Sequence, residues 1–414
     1  MQEKNSSLTR SWLVVLSAGA FFFYSFIQMT LFSTQEMKTY FSETLSITDP
    51  ATFGVFAGMF LNACVIFLIP AGILLDKVSV KKLIMGTLVL ATASVFGLAF
   101  VKNLQLAMVF RFLTGVSHCI AFMAPLRLAP RWFPSRRLAL VTGLVITFAV
   151  SGGLISQTPM YWSITALGGQ TTMILNGFLG VAILVLVSIF VKDRPAEDFT
   201  DSVASSADTL PFVKGLKIAV TNKQNWFAGL YIGLLNLSVL LLGAIWGTNY
   251  LKFKNPDLSS EVITSIIGMI FIGTMIGSPL CGWISDKVKS RKWSMLVGSL
   301  VSLLIMMGIM FTANLNAGIL YVLFFLLGLV TAAQTIGYPV IAESNKDNVL
   351  GTANGFSAVL IMGMAAIAQP LFGTLINLFG GETVASYNQA IYLMPVSFSI
   401  ALICTILMYD TFKK

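Results

Sequence analysis

Gly72-Ile73-Leu74-Leu75-Asp76-Lys77 closes one long apolar run and leads to Lys81-Lys82, and Gly282-Trp283-Ile284-Ser285-Asp286-Lys287 closes another and leads to Arg291-Lys292. The second string starts 210 residues after the first (282 against 72) in a chain of 414. A charged turn that recurs at half the chain length marks a duplicated unit. Three more matches share an offset of 212: Gly143 with Gly355, Gln157 with Gln369, and Gly168-Gly169 with Gly380-Gly381.

Composition identifies the solvent of this duplicated unit. Hydrophobic residues make up 56% and charged residues 10%, and mean hydropathy is +0.85. So few charges cannot cover a water-facing surface, which implies lipid around most of the chain. The single His excludes a His-rich metal site, and no metal or cofactor is expected. Cys64, Cys119, Cys281 and Cys404 all fall in apolar runs and read as small buried hydrophobes. No Gly-x-x-x-x-Gly-Lys-Ser/Thr string is present, so uphill movement of a solute would draw on an ion gradient.

Twelve apolar runs are each long enough to cross a ~30 Å hydrocarbon layer as a helix. They cover approximately residues 11–35, 51–75, 82–101, 104–126, 138–165, 172–191, 225–251, 262–284, 293–313, 317–341, 351–378 and 387–409. With the N-terminus cytoplasmic, Lys38, Lys102, Lys252 and Lys254 fall outside and Arg111 within a span; every other Lys and Arg falls inside. The net charge of +9 is therefore a positive-inside signal and not a nucleic-acid footprint. It predicts a multi-pass protein of a bacterial cytoplasmic membrane with both termini cytoplasmic. The first run is too long and too early for a cleaved signal peptide, and is expected to be retained. The one break in hydropathy, residues 192–224, has an acidic Ser-rich stretch from Glu197 to Asp208 and an amphipathic piece from Pro211 to Val220. It reads as a cytoplasmic linker between a first bundle, 1–191, and a second, 225–414.

The paired turns resemble the Gly-x-x-x-Asp-(Arg/Lys)-x-x-x-(Arg/Lys)-(Arg/Lys) signature of the major facilitator superfamily, and Arg111-Phe112-Leu113-Thr114-Gly115 resembles its Arg-x-x-x-Gly motif. The resemblance covers essentially the whole chain. It implies an all-α membrane protein of two pseudo-symmetric six-helix bundles that rock about a central site as a monomeric secondary transporter. The family's antiporters often carry Gly-Pro in the fifth span, where this chain reads Ala149-Val150-Ser151-Gly152-Gly153. That departure weighs against drug efflux. Arg131-Trp132-Phe133-Pro134-Ser135-Arg136-Arg137, and Ala342-Glu343-Ser344-Asn345 with Gly351-Thr352-Ala353-Asn354-Gly355, resemble phagosomal nutrient transporters of intracellular bacteria. That resemblance implies import of an amino acid first, a nucleoside second, with protons as co-ion. Export of a drug or siderophore is the alternative. A solute sensor without transport would need an added cytoplasmic domain, and no nucleophile, metal cluster or carboxylate pair suggests an enzyme.

Charges in a membrane are costly, so each is a functional candidate. Arg111 reads either as a brace for helix backbones or as an anchor for a substrate carboxylate. His118, nearly two turns on, shares its face and either packs between helices or contacts substrate and protons. Carboxylates occur only at span ends, which leaves Glu36, closing the first span, as the acidic candidate for proton coupling. The resemblance assigns the cavity to spans one, four, seven and ten, helped by five and eleven. It therefore offers Tyr24, Gln28, Asn236, Trp246, Tyr250, Gln334, Tyr338, Gln157 and Gln369 as substrate-contacting residues, although an amide in lipid can equally serve to join helices. By the same resemblance Asp76, Lys77, Lys81 and Lys82, with Asp286, Lys287, Arg291 and Lys292, are gating residues that latch and release the cytoplasmic side.

Overall fold

The computed structural model describes residues 2–133, 138–193, 212–312 and 316–412, without the side chains of 2–7, 76–77, 130, 138–140, 142, 212–213 and 347–348. The acidic stretch from Glu197 to Asp208, residues 134–137 of the basic segment, and the side chains of Asp76 and Lys77 therefore lie outside the described residues.

Twelve helical spans are present: Leu8–Met29, Pro50–Leu75, Val80–Phe100, Leu104–Ala129, Gly143–Leu167, Gly169–Phe190, Lys223–Lys254, Ser260–Val288, Arg291–Phe311, Ala317–Glu343, Val349–Leu378 and Val384–Leu407. Their starts are written in the sequence. Asp49, Ser79, Asn103, Ser259, Ser290 and Asn316 each accept a bond from a backbone N–H of the first turn that follows. Such caps satisfy donors that a helix start leaves open, which matters more where no water can do it. Their outer faces carry bare apolar side chains such as Phe178, Ile189, Leu304 and Leu407, as lipid-facing helices require.

The duplication is visible in the packing. Spans two and four, three and six, and one and five pack together, and so do eight and ten, nine and twelve, and seven and eleven. Gly115 lies so close to the Phe60 carbonyl that a Cβ would stand 2.1 Å from it, and Gly328 meets the Ile270 carbonyl at the same 2.1 Å. These are equivalent small-residue crossings in the two halves. Gly168 and Gly380 both take positive φ, 80° and 108°, at matched turns before spans six and twelve.

Spans two and eleven, and five and eight, pack the halves against each other. A Cβ on Gly54 would touch the backbone of Gln369 and Pro370 at 3.0 Å, and one on Gly373 would meet the Pro50 carbonyl at 2.4 Å. Both contacts lie at the end of the bundle away from the termini, called the far end below.

The structure corrects the first span's boundary. Its helix stops at Met29, and Glu36 belongs to a separate far-end helix, Gln35–Leu45, capped by Thr34. Met37, Phe41 and Leu45 bury one stripe of that short helix. It follows the first span and does not extend it.

Candidate functional site

Spans five, seven and ten each lose regular helical geometry away from their ends, and span twelve is interrupted at Ile391-Tyr392. Span five breaks at Ser156-Gln157, between helices Leu138–Ile155 and Thr158–Leu167. Pro159 lacks the N–H that would continue the ladder to Ile155. Span seven widens into a π turn, Ser238–Trp246, and span ten tightens into a 3-10 turn, Ala332–Ile336. Such turns draw backbone carbonyls off the ordinary ladder and recur at functional sites.

Those carbonyls find side-chain donors. Gln369 Nε2 donates to Leu240 O and Gln157 Nε2 to Gly243 O, each at 2.8 Å. Lys38, on the far-end helix, donates to Ile245 O at 2.7 Å, to Thr248 Oγ1 at 2.9 Å, and to Asn249 Oδ1. Three acceptors thus surround one buried amino group. Gln157 and Lys38 reach across from the first half. Asp49 with Asn377, Thr158 with Ser265 and Trp162 with Glu261 add further bonds between the halves at the same end.

Spans seven and ten join where both are irregular. Gln334 Nε2 donates to Asn236 Oδ1 at 3.3 Å, and Ser238 Oγ to Thr331 Oγ1 at 2.9 Å. Tyr338, one turn beyond Gln334, is 43% exposed, while the other ten residues expected at the site are buried or half-buried. Trp246 is fixed by its bond to Gln369 O at 3.1 Å and by stacking on Phe372. Tyr250 is buried and accepts from Lys254. Gln157 Oε1 is buried and has no donor.

Of the residues expected in the first half, only Gln157 reaches those turns; Tyr24, Gln28, Arg111 and His118 make their described contacts within their own half. Gln28 Nε2 donates to Asn176 Oδ1 of span six at 3.1 Å, and Tyr24 OH lies over Gly180 of the same span. Both contacts are to span six, on which that ridge of span one packs. Arg111 donates to Gln28 O at 2.8 Å and to Ala57 O at 3.4 Å, with its guanidinium against the rings of Phe32 and Phe60. This arrangement is that of a brace joining spans one, two and four. His118 Nδ1 shares a 2.7 Å bond with Ser25 Oγ and lies between Phe22 and Phe60. Glu36 is half-buried, and its Oε2 has no partner.

The motif residues that are described bind within their own halves. Arg291 pairs with Asp286 at 2.6 Å and Glu343 at 3.0 Å. Lys81 Nζ donates to Ser188 O at 2.7 Å, and Lys292 Nζ to Ile406 O at 2.7 Å. Lys287 lies over the Trp283 ring, and Lys82 is exposed. Sequence reasoning missed two sets of contacts. Lys38 read only as a charge outside the membrane, and nothing local announces acceptors 207 or more residues away. Asp193 and Asp410, which cap the starts of spans three and nine, were also missed, although each follows a sixth span of its half.

A family model described as Major Facilitator Superfamily matches residues 14–368 and 243–411. A protein of Agrobacterium vitis provisionally named a tartrate transporter is 26% identical over 264 residues, which cover 58% of this chain and 59% of that protein. The chain thus aligns with less than two thirds of that relative's length. The hexuronate transporter of Bacillus subtilis strain 168 is 24% identical over 81% of each chain. Among solved structures, a bacterial homologue of the human lysosomal transporter Spinster, inward-facing and unoccupied, superposes with a TM-score of 0.73 at 12% identity, covering 97% of both chains. That likeness establishes the fold.

Proposed function

The chain belongs to the Major Facilitator Superfamily, and from that premise we propose that it imports a small hydroxylated organic acid, with protons as the co-ion. The observation that carries the substrate class is the chemistry of the irregular turns: amides and hydroxyls of Asn236, Gln334 and Thr331, and the buried, donorless Oε1 of Gln157. Such groups suit a solute rich in hydroxyls, and the relatives named for tartrate and hexuronate carry that chemistry. An amino acid, the first expectation from the sequence, would bring an ammonium group into the membrane interior. The described carboxylates all sit at helix ends or in connecting segments, so none is placed to meet it. A nucleoside lacks the acid group for which those relatives are named.

Alternating access is supported by the closure of the far end, where Lys38, Asp49, Gln157, Thr158 and Trp162 bond across the halves. The positive-inside pattern turns that end outward and leaves both termini in the cytoplasm. Inward transport agrees with the absence of Gly-Pro in Ala149–Gly153. For the proton, Glu36 with its unpartnered oxygen and His118 with Ser25 are the groups to test.

The experiment is counterflow into proteoliposomes across tartrate, glucuronate, amino acids and nucleosides, repeated with an imposed pH gradient. Exchange confined to the organic acids, and accumulation driven by an acid exterior, are expected. Exchange of amino acids alone overturns the substrate class, and accumulation indifferent to the gradient overturns the co-ion.

A further inference from the structure

The π turn of span seven takes side-chain hydrogen bonds at three of its carbonyls, and the donors divide by origin. Gln369 lies in the same half as span seven; Gln157 and Lys38 lie in the other. A bond within one half survives when the halves rock apart, whereas a bond between them is made in the closed state only. Gln157 can reach Gly243 O because span five is unwound at that residue, between the helices Leu138–Ile155 and Thr158–Leu167.

We infer that Gln157 is a positioning residue of the transport cycle: from the first half it holds the π turn of span seven in the register that closes the far end. A buried carbonyl without a donor is costly, so losing Gln157 on opening favours return of the turn to ordinary α geometry. Removing the extra residue of a π turn rotates the helix beyond it by about 100°, one residue's worth. The helix beyond is Gly247–Lys254, which carries Thr248 and Asn249, the acceptors of Lys38. Loss of one bond between the halves thereby undoes the next, and the far end opens as a unit. Small losses at a two-state packed interface are amplified in this way.

Gln369 is the internal control, since it is the same residue type at the matched position, donating over the same distance to the same turn. The test is performed without substrate, so its outcome does not depend on the substrate class proposed above. A reporter cysteine replaces Ala366, which is 7% exposed and packed at the crossing of spans two and eleven. A membrane-impermeant maleimide is applied from the far side to protein in proteoliposomes, with the chain lacking the reporter as background. Gln157→Leu is expected to raise the labelling rate about tenfold or more, tenfold corresponding to about 1.4 kcal/mol. Gln369→Leu also takes a donor from the turn but breaks no bond between the halves, and is expected to raise the rate by much less. Gln157→Asn keeps an amide one carbon short and carries the same expectation if the Leu variant does not assemble. Unchanged labelling in the Gln157 variants, or an equal rise in the Gln369 variant, overturns the inference.

Discussion

Gln157 and Gln369, matched positions 212 residues apart, donate at the same 2.8 Å to carbonyls of one π turn, Gly243 O and Leu240 O. Symmetry of sequence therefore ends in asymmetry of structure: two copies of one residue converge on a single span of the second half. One bond is a seam within a bundle and the other a clasp between bundles. A duplicated chain can take on a switch in this way, keeping the residue and changing what its partner does during the cycle.

Asp410 fastens the start of span nine, accepting from Ser290 Oγ and from Arg291 N at 3.0 Å. Asp193 does the same for span three through Ser79 Oγ and Lys81 N at 2.9 Å. Burial pushes the Asp410 carboxyl up, but bonds from Ser290 and from the backbone N–H groups of Phe412, Arg291 and Lys292 outweigh it and hold it below the usual carboxylate range. Its stabilising effect is present above the ordinary carboxylate pKa of about 4 and is lost as pH falls below that. Asp410→Ala is expected to cost about 1 kcal/mol, as a lost cap does. Thermal melts at pH 7 and pH 3 should differ less for the variant than for the parent; equal sensitivity to acid sinks the assignment.

The fold was legible because its signals are local or repeated. Charged turns, apolar lengths and capping residues each lie within a few residues of the feature they specify, and the matches at 212 placed Gly168 beside Gly380 in role. The site was legible only in composition. Gln157, Gln334 and Asn236 were identified as candidates, but not that two glutamines would bond a π turn, since no periodicity encodes a π turn. Tyr24 and Gln28 show the limit most clearly. Polar residues on a central span have two possible inner faces, and only packing decides that theirs meets Asn176 and Gly180.

Arg111 donates to carbonyls of two different spans and lies against two aromatic rings, with no carboxylate in contact among the described residues. A lysine is a point charge without the planar fork and cannot reproduce that bracing. Arg111→Lys is expected to lower the melting temperature of the substrate-free protein by several degrees, in keeping with about 1–3 kcal/mol for a lost charged hydrogen bond. An unchanged melt with weakened substrate binding would instead restore the anchor role.

Asp286 is 66% exposed while bonding Arg291, whose guanidinium also holds Glu343. An exposed pair of this kind contributes roughly 0–1 kcal/mol to stability. Its value is expected in the cycle, since releasing Asp286 frees Arg291 to move against span ten. Asp286→Asn should leave the melting temperature within about 2 °C, consistent with that small energy, and lower turnover severalfold with little change in the half-saturating substrate concentration. Normal turnover in the variant counts against a gating role.

Lys38 makes far-end closure sensitive to pH. In the closed structure burial pulls it from its ordinary 10.5 down to about 7, with the charges of Glu382 and Glu36 pulling the other way. Its bonded acceptors are neutral, and Tyr387, hydrogen-bonded between Asn249 and Glu382, brings no countercharge, so desolvation prevails. When the far end opens, Lys38 meets water and its pKa returns toward 10.5. The closed form therefore binds the proton less tightly than the open form. Closure is favoured as pH rises from about 7 to about 10.5, by up to about 1.4 kcal/mol per unit, and is flat below that window. Maleimide labelling of the Ala366→Cys reporter, normalised to an exposed cysteine to remove the reagent's own pH dependence, should rise as pH falls from 10 to 7. Lys38→Met should flatten that slope whatever it does to the absolute rate. A slope that persists in Lys38→Met assigns the titration to another residue.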